Sequence, residues 1–79
     1  MTLTQPTPTR LDLKGLKCPM PIVKTAQAMK TVASGELLEV LATDPGAVAD
    51  FAAWSRSTGN ELVEQSIQDG VYHFVLRRK

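Results

Sequence analysis

One residue of this 79-residue chain is a clear candidate nucleophile: Cys18, the only cysteine. It lies in residues 15–21, Gly-Leu-Lys-Cys-Pro-Met-Pro, a composition typical of the point where a strand ends and a helix begins. A sulfur at the start of a helix faces unpaired backbone N–H groups and the positive end of the helix dipole, and both favour thiolate over thiol. We therefore predict that Cys18 is a helix N-cap with a thiol pKa below the ordinary value of about 8.5.

Two prolines restrict the backbone next to this thiol. With Cys18 as the N-cap, Pro19 is the first helical residue and Pro21 the third, where a missing N–H is tolerated. The N–H groups left to contact the sulfur or its cargo are then chiefly those of Met20 and the following turn. The residues predicted to support the Cys18 loop and helix start are Gly15, Lys17, Pro19, Met20 and Pro21.

Other reactive side chains are few. Asp12 and Asp44 lie near the ends of predicted strands and are candidate second-shell neighbours of Cys18, although an aspartate in the position of Asp44 is more often a helix cap. His73, the only histidine, is predicted in the middle of a strand, so a Cys–His pair would need the fold to bring it to Cys18. The chain has no Cys-x-x-Cys motif and no cluster of metal ligands, so we predict neither dithiol redox chemistry nor a metal or cofactor.

Two alternatives compete with a working thiol. Most lone cysteines are small buried hydrophobes without chemistry, although Cys18 is bracketed by Lys17 and prolines rather than by a periodic apolar stripe. The second alternative is a non-catalytic protein- or RNA-interaction domain, supported only by residues 77–79, Arg-Arg-Lys. Because the net charge is only +1, we expect this basic cluster to be a solvated chain end and expect no direct binding of nucleic acid.

The hydrophobic pattern predicts six elements in one small domain. They are strands over residues 9–13, 36–42, 61–68 and 71–77, a first helix from Cys18 to about Val32, and a second helix capped by Asp44 that ends near Gly59. Asp69 and Gly70 between the last two strands favour a tight hairpin turn. This order predicts a two-layer α/β sandwich, βαβαββ, with a four-stranded mixed sheet and two helices on one face.

The domain is predicted to span residues 9–79, preceded by a flexible N-terminal tail over residues 1–8. This tail lacks the features of a secretory signal, and no apolar run approaches the roughly 20 residues needed to cross a bilayer. Apolar residues at 43% and charged residues at 22% are typical of a folded globular protein. A single unpaired cysteine suits the reducing cytoplasm.

Residues 11–21, Leu-Asp-Leu-Lys-Gly-Leu-Lys-Cys-Pro-Met-Pro, resemble the Cys-Pro-x-Pro signature of the TusA/SirA-like sulfur-carrier family. The resemblance continues over residues 9–79, through Thr43-Asp44-Pro45, Gly59 and the Asp69-Gly70 hairpin. It implies the βαβαββ sandwich and a cytoplasmic bacterial carrier without cofactor or membrane, in which Cys18 is the catalytic residue. The resemblance also implies that many relatives carry a second cysteine on the second helix, where this chain has Ser55, so a role that needs a second thiol is not expected here.

The resemblance also implies partners. Cys18 would accept sulfane sulfur, as a persulfide or thiosulfonate, from a cysteine desulfurase or a rhodanese-like protein. The acceptor would be a protein such as a DsrE-like or Tus-relay protein. The pathways implied are tRNA thiolation, sulfur oxidation and cofactor biosynthesis, and the sequence does not choose among them.

Overall fold

The computed structural model describes residues 9–79, and the predicted tail over residues 1–8 lies outside this range. The elements are β1 (Thr9–Leu13), α1 (Met20–Met29), β2 (Leu37–Ala42), α2 (Ala47–Thr58), β3 (Glu61–Gln68) and β4 (Val71–Arg77). They form a four-stranded sheet in the order β1-β2-β4-β3, in which β1 and β2 are parallel and the other neighbours antiparallel. The predicted two-layer α/β sandwich is confirmed.

The core lies between the sheet and the helices, because side chains alternate between the two faces of each strand. Leu38 and Val40 of β2 and Phe74 and Leu76 of β4 are fully buried on the helix side. Phe51 of α2 stacks on Phe74 with ring centroids 4.4 Å apart. The central position of β2, predicted from its nearly continuous apolar run, is confirmed by its pairing with both β1 and β4.

The first helix is shorter than predicted at both ends. Its N-cap is Pro19 rather than Cys18, and it ends at Met29 rather than near Val32. Beyond Met29 the chain tightens, because the N–H groups of Thr31 and Val32 donate to carbonyl oxygens three residues earlier. The periodic apolar pattern continued through this tighter turn, and for that reason the sequence placed the end of the helix too late.

The parallel pairing of β1 and β2 positions the candidate site. Their C-terminal ends meet at one edge of the sheet, where Leu13 lies opposite Ala42. Each strand is followed by a short loop that leads into a helix. The loop that carries Cys18 and the loop that precedes α2 therefore lie side by side.

The longest helix within residues 9–79 is α2, with 12 residues. No helix in this part of the chain has both the length and the apolar character needed to cross a membrane.

Candidate functional site

The loop after β1 is held by a turn and by one contact to the neighbouring loop. The N–H of Leu16 donates to the carbonyl of Leu13 at 3.2 Å, and Gly15 within this turn has φ +85°, a conformation that side chains disfavour. The N–H of Gly15 donates to Oγ1 of Thr43 at 2.9 Å, which ties the loop to the end of β2. Gly15 thus supports the Cys18 loop through its backbone.

Cys18 is exposed and makes two polar contacts to the chain around α2. Its backbone N–H donates to Oδ2 of Asp44 at 3.1 Å. Its thiol Sγ donates to Oδ2 of Asp50 at 2.7 Å. The exposure of Cys18 excludes the alternative that it is a packed core residue, and the two bonds hold it from both its backbone and its side chain.

The predicted low thiol pKa is wrong. The pKa of Cys18 is raised, first because the thiol donates a hydrogen bond to Asp50, then through loss of solvent and through repulsion of a thiolate by the carboxylates of Asp50 and Asp44. The helix start stabilises a thiolate at Cys18 less than expected. Pro19 rather than Cys18 is the N-cap, and the N–H of Met20 already donates to the carbonyl of Lys17 at 2.9 Å. A full negative charge at hydrogen-bonding distance outweighs the partial charge of a helix terminus.

Asp44 does not cap α2 through its side chain, as the sequence had suggested. The N-cap of α2 is Gly46, which makes no side-chain capping bond. The carboxylate of Asp44 is instead directed to the N–H of Cys18, while its carbonyl accepts the N–H of Ala47 at 3.0 Å. The structure therefore brings Asp44 to Cys18, where it contacts the backbone of the cysteine and not the sulfur.

The remaining predicted residues lie in different parts of the fold. Pro21 is fully buried in the core, and Lys17 and Met20 are exposed beside Cys18. Asp12 is not brought to Cys18, because its carboxylate accepts the N–H of Lys14 at 3.1 Å and pairs with Nζ of the same residue at 3.8 Å. His73 is not brought there either.

His73 pairs in register with Leu41 in the middle of the sheet. The next residue, Phe74, lies in the core beneath the helices, so alternation directs His73 to the opposite face of the sheet. A Cys–His catalytic pair is therefore absent from the described part of the chain.

Sequence reasoning missed Asp50, whose carboxylate accepts the hydrogen bond of the Cys18 thiol. Asp50 is the acidic residue of the first turn of α2. An acid at this position is ordinarily explained by the positive end of its own helix dipole, which gave no reason to connect it with Cys18. The available signal was topological: two helices that follow neighbouring parallel strands begin at the same edge of the sheet.

Of the three basic residues at the end of the chain, Arg77 and Lys79 are exposed, as predicted, whereas Arg78 is half-buried, which the prediction did not foresee. Arg77 pairs with Glu61 at 3.0 Å. Nη1 of the half-buried Arg78 donates to the carbonyls of Val32 and Lys30. These contacts engage two of the three basic residues, which weakens the sequence support for an RNA-interaction domain.

The surface beside Cys18 holds a shallow open cleft of about 280 Å³, lined by Gly15, Leu16, Lys17, Thr43, Asp44 and Pro45. Within residues 9–79 no group of three or more His, Cys, Asp or Glu side chains is placed to hold a metal ion. The chemistry that this site offers is that of one exposed thiol, with one carboxylate bound to its sulfur and a second bound to its backbone N–H.

Comparison with known proteins gives a consistent result. The family model described as Sulfurtransferase TusA matches residues 9–78. A sulfur carrier protein TusA of Allochromatium vinosum is 44% identical over 68 residues, which cover 86% of this chain and 90% of that protein. The protein YrkI of Bacillus subtilis is 50% identical over 68 residues, covering 86% of this chain and 91% of its own.

The fold is also found among solved structures. The crystal structure of a SirA-like protein from Desulfitobacterium hafniense superposes with a TM-score of 0.78 and covers 87% of this chain and 95% of that chain. The two sequences are 20% identical, so this likeness concerns the fold alone. The resemblance noted in the sequence is confirmed by the family match and by the two relatives.

Proposed function

Since the chain belongs to the sulfurtransferase TusA family, we propose that it carries sulfane sulfur on Cys18 from a donor protein to an acceptor protein. The observation that carries the proposal is the exposure of this single sulfur at the edge of the sheet, on a loop tied to its neighbour. A lone thiol supports attack on a sulfur donor and storage of the transferred atom, and it needs no second cysteine.

Transfer of sulfur from a donor persulfide to Cys18 needs no added oxidant. The sulfur of Cys18 bonds to the terminal sulfur of a donor persulfide, and the donor's own S–S bond breaks. The electron pair leaves on the donor cysteine, which takes up the proton that Cys18 loses. The carrier then holds a persulfide, and the same exchange in reverse delivers the sulfur to an acceptor.

The surface around Cys18 supports transfer between proteins. Met20 and Val23 of α1 are apolar and each 39% exposed, close in sequence to Cys18. Exposed apolar side chains beside a reactive group favour contact with a protein partner. The cleft lined by residues of the Cys18 loop and of the loop before α2 provides space for a partner segment that carries the donor sulfur.

Membership of the family supports a proposal about partners and pathway. We propose a cysteine desulfurase or a rhodanese-like protein as donor and a DsrE-like or Tus-relay protein as acceptor. tRNA thiolation, sulfur oxidation and cofactor biosynthesis are the candidate pathways, and the cargo is a persulfide or a thiosulfonate. We also propose a cytoplasmic location, because a thiol that must stay reduced between transfers suits a reducing compartment.

The test is intact-mass measurement of the purified chain. Incubation with a cysteine desulfurase and cysteine, or with a rhodanese and thiosulfate, is expected to add sulfur that a reductant removes. The control is Cys18→Ser, which retains the fold and loses the nucleophile. Equal sulfur uptake by Cys18→Ser, or none by the native chain with either donor, would contradict the proposal.

A further inference from the structure

The thiol of Cys18 lies against a carboxylate from another helix. Sγ is 2.7 Å from Oδ2 of Asp50, and Oδ2 of Asp44 is bound to the N–H of the same cysteine at 3.1 Å. The ion pairs within residues 9–79 are Arg10–Glu39, Lys14–Asp12 and Arg77–Glu61. Neither Asp44 nor Asp50 therefore has a cationic partner in the described part of the chain.

We propose that Asp50 is a positioning residue that holds Cys18 in the unreactive thiol form, and that a sulfur donor must bring a positive charge to Asp50 to release it. This rests on the proposed function, in which the donor carries a persulfide. It adds the chemistry that the donor's contact surface must have: a lysine or arginine beside its persulfide.

The charges that face the sulfur support this assignment. The loop before α2 contributes the carboxylate of Asp44, and α2 contributes that of Asp50. On the sulfur's own loop Lys17 is exposed, and Lys14 is paired with Asp12. Two carboxylates in contact with Cys18 oppose the thiolate, and the pKa of Cys18 is accordingly raised.

A donor that reaches Cys18 must also cover Asp50. Atoms that form a bond to Sγ approach within a few ångströms of the carboxylate and remove water from it. An unpaired carboxylate is strongly disfavoured away from water, so a productive interface has to supply a cation there. The same cation weakens the hold of Asp50 on the thiol proton.

Release and transfer then balance as follows. The S–H bond of Cys18 breaks and its proton goes to solvent, leaving a thiolate whose electron pair bonds to the terminal sulfur of the donor persulfide. The donor's S–S bond breaks, and its cysteine sulfur takes up the electron pair and a proton from solvent. The sum is carrier thiol plus donor persulfide giving carrier persulfide plus donor thiol, with no net oxidation.

The first experiment is the rate of alkylation by iodoacetamide as a function of pH. Asp50→Asn is expected to move the midpoint of the profile to lower pH and to raise the rate near neutral pH, although by less than the gain in thiolate because a thiolate of lower pKa is a weaker nucleophile. Asp50→Glu, which keeps the charge, is expected to stay closer to the native profile. Glu64→Gln is the matched control, because it removes one exposed carboxylate from β3, far in the fold from the Cys18 loop.

A purely structural role for Asp50 would leave the midpoint in place. The proposal is therefore overturned if Asp50→Asn and the native chain share one midpoint, or if Glu64→Gln moves it equally. Circular dichroism of each variant confirms that the fold is retained, and Asp50→Ser provides a second neutral side chain if Asp50→Asn does not fold.

The second experiment tests the demand for positive charge. The native thiol is expected to react faster with the cationic trimethylammonium-ethyl methanethiosulfonate than with the anionic sulfonato-ethyl reagent. The ratio of the two rates cancels the fraction of thiolate, and Asp50→Asn should lower it by about threefold or more. An unchanged ratio would show that Asp50 does not select for a cation.

Neither experiment uses sulfur transfer, so the two proposals fail separately. If Cys18 takes up no sulfur while Asp50→Asn still shifts the midpoint of the alkylation profile, the role of Asp50 is supported and the carrier function is wrong. If Cys18 loads sulfur and both measurements are unchanged in Asp50→Asn, only the role of Asp50 is wrong.

Discussion

The carboxylate of Asp44 accepts the backbone N–H of Cys18 at 3.1 Å, across 26 residues of sequence. This bond joins the loop after β1 to the loop after β2, beside the bond from Gly15 to Thr43. Both loops leave the same edge of the sheet because β1 and β2 are parallel neighbours. The position of the reactive sulfur therefore depends on a residue from the next βα connection.

Asp44→Ala should destabilise the fold more than Asp44→Asn. Alanine leaves the N–H of Cys18 without its partner, a loss of about 1 kcal/mol, whereas asparagine retains an acceptor oxygen. Urea unfolding of the two variants measures the difference.

In the alkylation profile Asp44→Asn should lower the midpoint less than Asp50→Asn, because Asp44 acts on the thiol through its charge alone. A larger shift for Asp44→Asn would contradict this order.

The hydrogen bond between Cys18 and Asp50 should make stability depend on pH in the alkaline range. The thiol pKa is raised by folding, so the native state retains this proton at pH values where the unfolded chain has lost it. The contribution is thus fully present below the unfolded value of about 8.5, and it declines as the pH rises through the higher folded value.

The measurement is the difference in the free energy of unfolding between the native chain and Cys18→Ala, followed from neutral to alkaline pH. Taking the difference removes every contribution that the two proteins share. The expected curve is level at neutral pH and falls as the pH increases. A difference that grows with pH would mean that folding lowers the pKa of Cys18.

Arg77 and Arg78 are adjacent in sequence and should differ in their effect on stability. Arg78 is half-buried and donates to carbonyls at the end of α1, so Arg78→Ala should cost about 2 kcal/mol. Arg77 forms an exposed pair with Glu61, and Arg77→Ala should cost less than about 1 kcal/mol. Thermal or urea unfolding compares the two alanine variants, which serve as controls for each other. Equal losses would indicate that Arg78 is not anchored to α1.

Thr25→Val should stabilise the protein. Thr25 is fully buried in α1, and its Oγ1 has no hydrogen-bond partner among residues 9–79. Valine has nearly the same shape and removes the unpaired hydroxyl, for an expected gain of about 1 kcal/mol in the free energy of unfolding. Thr25→Ala is the control, since it removes the hydroxyl but also leaves a cavity. A loss of stability in Thr25→Val would show that the hydroxyl has a partner in solution, such as a bound water.

Local signals in the sequence determined most of the fold. The hairpin of β3 and β4 has the predicted bounds because Asp69 and Gly70 adopt the left-handed φ that a tight turn requires. The end of α2 at Gly59, with φ +81°, is equally local. The Cys18 motif identified the family for the same reason, since all of its residues lie within one loop and one helix start.

Only the tertiary structure decided the electrostatic state of that cysteine. The helix dipole argument used the residues next to Cys18 in sequence, whereas the charge that raises its pKa comes from Asp50, 32 residues away. This contact depends on the parallel pairing of β1 and β2 and on the placement of α1 beside α2. Neighbours in sequence determine turns and helix ends, but the field at an exposed sulfur is determined by whichever charges the fold brings within a few ångströms.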